Sequence, residues 1–311
     1  MKVSFITTVL NEEESIGRLL ESLKNQSRIP DEIIIADGGS CDQTVANIKY
    51  QISNIKKTIK NLKFKIIIKP GNRSLGRNEA IRRATGDIIV ASDAGCILEK
   101  NWVKNIVEPF IDSKIDVVAG YYRGLARNIF QECLIPYVLV MEDRVNPDEF
   151  LPATRSMAFR KSVWETIGGF DEKLSHNEDY DFANRLKKAD SKIIFVKDAK
   201  VTWIPRKNIR EAFIMFFRFA LGDSEAKIFR TSVFLVFTRY LIGIYLIFLI
   251  MLYKSFFGFL SLIIIFAFYL LWAVIKNYKY VRKWQAIFIL PVLQIASDIA
   301  VLLGTVMGVM R

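Results

Sequence analysis

The sequence predicts an α/β fold with a mostly parallel sheet, followed by a C-terminal transmembrane helical region. Residues 2–120 alternate short apolar runs with helical patterns, which is the order that produces a parallel sheet covered by helices. The apolar runs are continuous, as expected of strands that are buried on both faces. Three long apolar segments near the C-terminus indicate the helical region.

Five apolar runs predict the first strands of the sheet. They are VSFITTV (3–9), EIIIAD (32–37), KFKIIIK (63–69), DIIVASD (87–93) and DVVAGYY (116–122). The segments between them predict helices over about 12–25, 42–62, 74–84 and 100–111. Later segments predict an amphipathic helix in 124–143, a strand, a helix and a Gly-Gly turn in 155–172, an acidic-headed helix in 177–189 and a hairpin in 191–206.

The three long apolar segments are each long enough to cross a hydrocarbon core of about 30 Å. They cover residues 233–253, 255–275 and 287–310. A buried soluble helix pair is the alternative, but too little sequence surrounds these segments to cover their apolar surface. The chain therefore divides into a domain over 1–205, an amphipathic interfacial linker over 206–232 and a transmembrane region over 233–311.

The charge distribution predicts which side of the membrane holds the domain. The 311 residues carry a net charge of +12, and the Lys and Arg excess clusters beside the apolar segments. The positive-inside rule places the basic 276–285 loop and the N-terminal domain in the cytoplasm, so we expect a multi-pass protein of the cell membrane. The apolar run within residues 1–14 is too short for a signal peptide. Anionic lipid is the partner that this charge pattern favours, and no nucleic-acid partner is expected.

Polar and charged residues follow four of the predicted strands. In open α/β sheets, ligands bind in the crevice at the carboxyl ends of the strands. We therefore expect one crevice to gather side chains from four separate loops: Asn11, Glu12, Asp37, Arg73, Arg77 and Asp93.

Two of these loops also have an ordinary interpretation. Asp37 begins the stretch DGGS (37–40), which either accepts a hydrogen bond from a nucleotide base or forms a simple strand-to-helix turn. Asp93, in IIVASDAGC (88–96), is either a ligand of Mg²⁺ or Mn²⁺ or the first residue of an Asx turn. Taken singly, neither loop decides between these interpretations.

Three carboxylates, Glu178, Asp179 and Asp181, begin the acidic-headed helix. Stabilisation by the helix dipole explains negative charge at this position. Because carboxylates so close together repel each other, we also expect the pKa of at least one to be raised, which suits it to proton abstraction.

Other potentially reactive side chains have simpler interpretations. His176, the only histidine, is expected in an exposed loop. The three cysteines lack metal-ligand spacing and are expected to be reduced packing residues: Cys41, Cys96 and Cys133.

Taken together, the motifs resemble those of the inverting family 2 glycosyltransferases, which have the GT-A fold. The motifs that carry the resemblance occur in the expected order over about residues 2–206: TTVLNEE, ADGGSCDQT, RSLGRNEAIRRATGDIIVASDAGC, GGFDE and NEDYDFANRL. The stretches LPATRSMAFRKSVWETIGGF and VTWIPRKN with FFRFALGDSEAK are similar to membrane-attached members that build polysaccharides or lipid-linked glycans.

This resemblance implies a role for each site residue. Asp179 would be the catalytic base, and Asp93 would bind Mg²⁺ or Mn²⁺ and the diphosphate of the donor. Arg155 would lie in the acceptor-side strand, and Arg218 could reach the donor phosphates. The remaining substrate-binding residues, among them the loop for the nucleotide base, would be Val9, Asn11, Glu12, Asp37, Gly38, Arg73, Arg77 and Glu178.

The sequence departs from the family pattern in two places. The usual Asp-x-Asp is here Asp93-Ala94-Gly95, so the second carboxylate is missing. The Gln-x-x-Arg-Trp signature of processive polymer synthases is absent, which argues against a cellulose-type or hyaluronan-type synthase.

The expected activity is transfer of a sugar from a nucleotide-diphosphate-sugar to a lipid-linked acceptor at the cytoplasmic membrane face. A polyprenyl-phosphate or dolichyl-phosphate sugar synthase is the alternative within the same class. A non-catalytic nucleotide-sugar-binding membrane accessory protein is the alternative of another class. In the apolar segments, Gln294 and Asp298 are expected to face a bundle interior or a partner, whereas Arg239 could extend to the cytoplasmic surface.

Overall fold

A computed structural model describes residues 1–310 and divides the chain into two compact units. The first unit contains residues 1–124 and 140–204. The second contains residues 125–139 together with the chain from Pro205 onward. Residues 125–139, which lie inside the 1–205 domain predicted from the sequence, therefore pack within the second unit.

The first unit is built on one eight-stranded sheet with the order β3-β2-β1-β4-β7-β6-β8-β5. The strands are β1 (Val3–Val9), β2 (Glu32–Asp37), β3 (Lys63–Ile68), β4 (Ile88–Ala91), β5 (Cys96–Leu98), β6 (Val117–Gly124), β7 (Met157–Arg160) and β8 (Ile193–Trp203). Strands β5 and β7 run against the other six, so the sheet is mostly parallel, as the sequence predicts.

Eleven α-helices are present in the described residues. They are α1 (Ile16–Lys24), α2 (Thr44–Thr58), α3 (Arg73–Arg83), α4 (Trp102–Val107), α5 (Ile129–Val138), α6 (Lys161–Ile167), α7 (Glu178–Lys188), α8 (Ile209–Glu225), α9 (Thr231–Tyr253), α10 (Phe256–Val281) and α11 (Ala286–Val309). The helix predicted over 100–111 changes to a 3₁₀ helix at Glu108–Ile111, because Pro109 cannot donate the hydrogen bond that an α-helix needs there.

The predicted hairpin in 191–206 is wrong, because the segment forms the single strand β8. The pairing of β8 with β6 shifts between Gly120 and Tyr121, whose partners are Val196 and Lys200. Residues 197–199 therefore form a bulge, and their polar character had indicated a turn. The predicted strand 116–122 exists as β6, but β7 separates it from β4.

Apolar side chains from both faces of the central strands form the core. Every residue of β2 is buried, and Phe5 of β1 packs edge-on against Trp102 with ring centroids 6.2 Å apart. On another side, the Phe182 ring of α7 lies 4.4 Å from the Phe170 ring and 5.6 Å from the Phe159 ring. This packing fixes the N-terminal end of α7, where the acidic residues lie, against the sheet.

The second unit contains three helices that are long and apolar enough to cross a membrane, namely α9, α10 and α11. Helix α10 continues to Val281, so most of the basic segment that the sequence assigns to the 276–285 loop is helical. Helix α8 packs closely on α11: a Cβ atom at Gly304 would lie 2.4 Å from the Phe217 carbonyl oxygen. Glycine at this position allows the two helices to approach.

An ion pair between a half-buried arginine and a buried aspartate links two of these apolar helices. The Asp298 side chain is 2% exposed, and its Oδ2 lies 2.6 Å from Arg239 Nη2. Tyr240 and Tyr269 donate hydrogen bonds to the same oxygen, and Gln294 donates to Oδ1 at 3.0 Å. The expectation that Arg239 extends to the cytoplasmic surface is therefore wrong, since a carboxylate inside the helix bundle pairs with it.

Candidate active site

The carboxyl end of β2 forms a tight loop around the Asp37 carboxylate. Asp37 is 1% exposed, and its Oδ2 accepts hydrogen bonds from the backbone N–H groups of Gly39 at 3.1 Å and Ser40 at 3.0 Å. The Ser40 hydroxyl donates to Oδ1 at 2.5 Å. Asp37 therefore organises its own loop, as in the turn interpretation, and contact with a nucleotide base stays a prediction.

The loop after β1 is joined to the loop after β2. Asn11 has a φ of 53°, donates its N–H to the Ser40 hydroxyl at 2.9 Å and accepts from the Cys41 N–H at 2.9 Å. Next to it, the Glu12 N–H donates to the Thr44 hydroxyl at 2.7 Å. The structure thus brings Asn11, Glu12 and Asp37 together as the sequence predicts.

Gly38 lies where three loops approach each other. Its N–H donates to the Val9 carbonyl oxygen at 2.8 Å. A Cβ atom on Gly38 would lie 3.3 Å from the Gly71 carbonyl oxygen and 3.4 Å from that of Val9. The absence of a side chain lets the backbone after β1, β2 and β3 approach closely at this point.

Arg77 of α3 lies at the centre of a charged cluster. The residue is 4% exposed, and it forms an ion pair with Glu178 through Nη1. Its Nη2 lies 3.0 Å from Asp93 Oδ1 and 2.9 Å from the Thr154 hydroxyl oxygen. Arg77 therefore joins α3, the end of β4 and the start of α7. Arg73, one turn earlier, is exposed.

Thr154 is the residue that sequence reasoning missed. Its hydroxyl lies 3.1 Å from Asp93 Oδ1 and 3.3 Å from Asp179 Oδ2, and its N–H donates to the same Asp179 oxygen at 3.2 Å. A hydroxyl has one proton, so it donates to one of the two carboxylates at a time. The stretch LPATRSM contains this threonine, but threonine in a loop gives no pattern that would identify it.

The two carboxylates at this hydroxyl have opposite pKa shifts. Burial opposes ionisation of Asp93, but Arg77, Arg155 and Arg73 outweigh that effect and lower its pKa. Burial raises the pKa of Asp179, and the neighbouring Glu178 and Asp93 charges add to it, against the opposing effect of Arg77 and Arg155. Asp93 is thus kept ionised, while Asp179 is the better proton acceptor of the two.

The other two carboxylates of the acidic helix have partners of their own. Glu178 pairs with Arg77, and Asp181 Oδ2 lies 2.8 Å from Arg185 Nε one turn along α7. The repulsion expected from the sequence therefore remains chiefly at Asp179. His176, by contrast, is half-buried next to the Ser175 hydroxyl, at 2.9 Å from its Nδ1, and not in a fully exposed loop.

The Arg155 guanidinium lies close to two aromatic rings. Its Cζ lies 5.5 Å from the centroid of the Tyr122 ring and 5.2 Å from that of the Trp203 ring. The Ser92 hydroxyl donates to the Arg155 carbonyl oxygen at 2.8 Å, which ties its backbone to the Asp93 loop. Arg218, the last predicted site residue, belongs to α8 of the second unit, and its phosphate contact stays a prediction.

The chemistry of the Asp93 loop fits a divalent cation. The Asp93 side chain is 38% exposed and ionised, and both Arg77 and Thr154 approach its Oδ1, so that Oδ2 stays available in the described part of the chain. Mg²⁺ and Mn²⁺ commonly take one or two protein carboxylates and complete their shell with phosphate and water. Within residues 1–310, no group of three acidic, His or Cys side chains could hold a metal by itself.

The chain matches two protein-family models. Residues 4–164 match "Glycosyl transferase family 2", and residues 109–278 match "Glycosyl transferase family group 2". Among named proteins, it is 27% identical over 232 residues to the O-antigen chain rhamnosyltransferase RfbN of Salmonella typhimurium, covering 70% of this chain and 71% of that one. It is 23% identical to the succinoglycan biosynthesis protein ExoA of Rhizobium meliloti, covering 70% and 67%.

Solved structures share the fold. The mannosyltransferase PcManGT from Pyrobaculum calidifontis, in complex with GDP-Man and Mn²⁺, superposes with a TM-score of 0.65 at 16% identity, covering 97% of this chain and 87% of that one. TarS of S. aureus gives a TM-score of 0.50 at 22% identity, covering 71% of this chain but only 39% of its own. The sheet and its helices are therefore those of the GT-A fold that the sequence predicts, followed by apolar helices able to span a membrane.

Proposed function

Since this chain belongs to glycosyl transferase family 2, we propose that it moves a sugar from a nucleotide-diphosphate-sugar to a lipid-linked acceptor, with inversion at the anomeric carbon. Family membership makes the chain a glycosyltransferase and does not support the interpretation as a non-catalytic accessory protein. The inversion, the lipid-linked acceptor and the cytoplasmic membrane face belong to the proposal.

One observation carries the proposal. Asp93 and Asp179 meet at the Thr154 hydroxyl, at 3.1 and 3.3 Å, and their pKa values are shifted in opposite directions. Inverting transfer in one step needs a base that accepts the proton of the acceptor. It also needs a group that neutralises the negative charge of the leaving group. The carboxylate that attracts a proton suits the role of base, and the ionised carboxylate suits a divalent cation that would neutralise the leaving group.

Asp179 would accept the proton of the acceptor hydroxyl as that oxygen attacks the sugar. Its Oδ2 is held by the Thr154 N–H, and its Oδ1 accepts from the Tyr180 N–H at 3.0 Å, so the carboxylate is fixed in position. A phosphate acceptor is already anionic and needs little base catalysis. The raised pKa of Asp179 therefore favours a hydroxyl acceptor over the polyprenyl-phosphate or dolichyl-phosphate alternative.

The leaving group is a nucleoside diphosphate, and its negative charge grows as the bond to the sugar breaks. Asp93, with its available Oδ2, would hold Mg²⁺ or Mn²⁺, and such an ion supplies charge neutralisation to the two phosphates. Arg73, exposed at the start of α3, would contact the same phosphates. The Mn²⁺ bound by the similar PcManGT supports the choice of a divalent cation.

The second unit supports the proposed membrane attachment, and its charge pattern favours the proposed orientation. Its three apolar helices are able to span a membrane, and the basic residues of 276–285 would remain on the cytoplasmic side with the first unit. RfbN and ExoA are named for O-antigen and succinoglycan synthesis, and the proposal assigns this chain to the same kind of glycan assembly.

A donor screen tests the proposal. Purified protein with a bacterial lipid extract and Mn²⁺ is offered radiolabelled UDP-, GDP- and dTDP-sugars in parallel. We expect label from one donor to enter the organic phase, in a reaction abolished by a chelator. A chemically synthesised, lipid-linked sugar acceptor then replaces the extract, and analysis of the product linkage tests inversion. Transfer from none of the donors to either acceptor would contradict the proposal.

A further inference from the structure

The arginines near Asp93 differ in what their guanidinium groups contact. Arg77 is buried, and its donors face Glu178, Asp93 and the Thr154 hydroxyl. Arg155 donates no hydrogen bond to any group within residues 1–310, although it has five N–H groups. The donors of Arg77 are therefore used in contacts within the protein, whereas the donors of Arg155 are available to a ligand.

The position of Arg155 is nevertheless fixed. The Tyr122 ring of β6 and the Trp203 ring at the end of β8 lie 5.5 and 5.2 Å from its Cζ, and both side chains are themselves buried, at 9% and 8% exposure. Thr154 before it and Ser92 beside it anchor its backbone to Asp179 and to the Asp93 loop. The aromatic rings stabilise the cation but offer it no oxygen or nitrogen acceptor for a conventional hydrogen bond.

The Arg155 guanidinium lies near the two carboxylates of the candidate site. Burial alone would lower the pKa of Arg155, but Tyr122, Asp93 and Asp179 outweigh it and raise that pKa, although neither carboxylate accepts a hydrogen bond from Arg155. The Arg155 guanidinium has no hydrogen-bond acceptor in the described residues, and its planar fork of N–H groups matches two oxygens of a phosphate group. Five donors left without an acceptor in a half-buried position favour an anionic ligand.

We propose that Arg155 forms an anion subsite of this crevice and binds a phosphate group of a substrate through its N–H edge. The inference rests on the proposed function, because a nucleotide-diphosphate donor and a lipid-linked acceptor both bring phosphate into the crevice. Tyr122 and Trp203 are positioning residues that hold the guanidinium in place. The subsite deepens the predicted role of Arg155, which the family resemblance places only in the acceptor-side strand.

Calorimetric titration of the full-length protein in detergent tests the subsite. Wild type, Arg155→Gln and Arg155→Lys are titrated with pyrophosphate, UDP and GDP in the presence of Mn²⁺, and separately with a short-chain prenyl diphosphate. The control variant is Arg83→Lys, since Arg83 is 58% exposed and pairs with Glu79 on the surface of α3. A cooperative thermal unfolding transition will show that a variant is folded. If Arg155→Gln does not fold, Arg155→Lys alone tests the subsite.

We expect Arg155→Gln to weaken binding of at least one kind of probe about 10- to 100-fold, as for loss of a charge-assisted hydrogen-bond pair. Arg155→Lys should lie in between, because it keeps the charge but lacks the planar fork. A loss confined to pyrophosphate and nucleotides assigns the subsite to the donor, and a loss confined to the prenyl diphosphate assigns it to the acceptor.

Different results would contradict the Arg155 subsite and the proposed function. Equal affinities of wild type and both Arg155 variants for every probe would overturn the subsite, as would a wild type that binds none of them. If the wild type binds pyrophosphate through Arg155 but transfers no sugar from any nucleotide-sugar, the subsite stands and the proposed function fails.

Discussion

The backbone N–H and the hydroxyl of Thr154 both lie within 3.3 Å of the same Asp179 oxygen, Oδ2. The hydroxyl is also 3.1 Å from Asp93 Oδ1, so one small side chain joins the proposed base to the proposed metal ligand. The protonation of Asp179 and the charge at Asp93 are therefore coupled through the Thr154 hydroxyl, which itself takes no part in the proposed reaction.

Removal of the Thr154 hydroxyl should change the pH dependence of the reaction. A hydrogen bond to a carboxylate favours its ionised form, so Thr154→Val should raise the pKa of Asp179 further. Because the base must be deprotonated, kcat/KM falls as the pH drops below that pKa, and the acid limb should move to higher pH. We expect kcat/KM to fall about 10-fold at pH 7, which is typical of one lost hydrogen bond to a charged group.

Thr154→Ser is the control, because it keeps the hydroxyl and should keep the wild-type pH profile. An unshifted acid limb in Thr154→Val would contradict the coupling.

Replacement of the proposed base should separate turnover from binding. Asp179→Asn preserves the shape of the side chain but cannot accept the proton, and we expect kcat to fall by about 10²- to 10⁴-fold. Donor affinity, measured by calorimetry, should change little. Asp181→Asn is the matched control, since Asp181 lies in the same helical turn but pairs with Arg185. Turnover of Asp179→Asn at the level of the control would remove Asp179 from the role.

The metal site should become stronger if the second carboxylate of the family pattern is restored. Gly95 occupies that position, and a Cβ atom there meets nothing within 4 Å, so Gly95→Asp has room. We expect it to tighten Mn²⁺ binding by on the order of 10-fold, because affinity rises with the number of carboxylate ligands. Gly95→Asn adds the same volume without charge and is the control. Electron paramagnetic resonance of free Mn²⁺ measures the affinity in the presence of nucleoside diphosphate.

The opposite change tests Asp93 itself. Asp93→Ala should abolish metal-dependent donor binding in the same measurement. Unchanged metal dependence would mean that Asp93 is a turn residue and not a metal ligand. Gly95→Asp should then not tighten Mn²⁺ binding.

The sequence predicted the parts of this site that follow strand ends. Continuous apolar runs located β1, β2 and β4, and the residues after them, Asn11, Asp37 and Asp93, do lie at one edge of the sheet. Arg77 was foreseen as part of the crevice, but not as the partner of Glu178, because the two are 101 residues apart and no local pattern joins them.

Other features could not be predicted from local patterns. Thr154 lies in an irregular segment, where neither periodicity nor charge distinguishes a structural hydroxyl from one in a site. The bulge at residues 197–199 of β8 has the polar composition of a turn, and only its pairing with β6 decides between the two. The aromatic neighbours of Arg155 likewise come from distant strands, β6 and β8, that no sequence spacing brings together.

A buried carboxylate far from the crevice predicts how stability depends on pH. Glu32 at the start of β2 has a side chain that is 1% exposed; burial raises its pKa, but hydrogen bonds from Lys65, Ser4 and Thr85 lower it from 4.5 to about 2. A lowered pKa means that the stabilisation is present above about pH 5 and is lost as the pH falls toward about 2. The loss should be at most about 3 kcal/mol for a shift of this size.

Unfolding measured against pH should show this loss in the wild type. Glu32→Gln should be less stable at pH 7 and should show a shallower acid dependence. Glu21→Gln is the control, because Glu21 is 49% exposed and forms a surface ion pair with Lys24 of α1. Parallel acid dependence in wild type and Glu32→Gln would show that other groups control acid unfolding.

The ion pair between Arg239 and Asp298 should stabilise the three apolar helices through the cost of leaving either charge alone. Asp298 is 2% exposed and accepts from residues of α9, α10 and α11. Asp298→Leu removes the acceptor and leaves a cation among apolar side chains, which should destabilise the protein by about 3 kcal/mol or more. The double variant Arg239→Met with Asp298→Leu should recover most of that loss, since no unpaired charge then remains. Ser261→Ala, an exposed position of α10, should have little effect in the same thermal unfolding assay in detergent. Additive losses in the double variant would show that the two residues stabilise the helices independently and not as a pair.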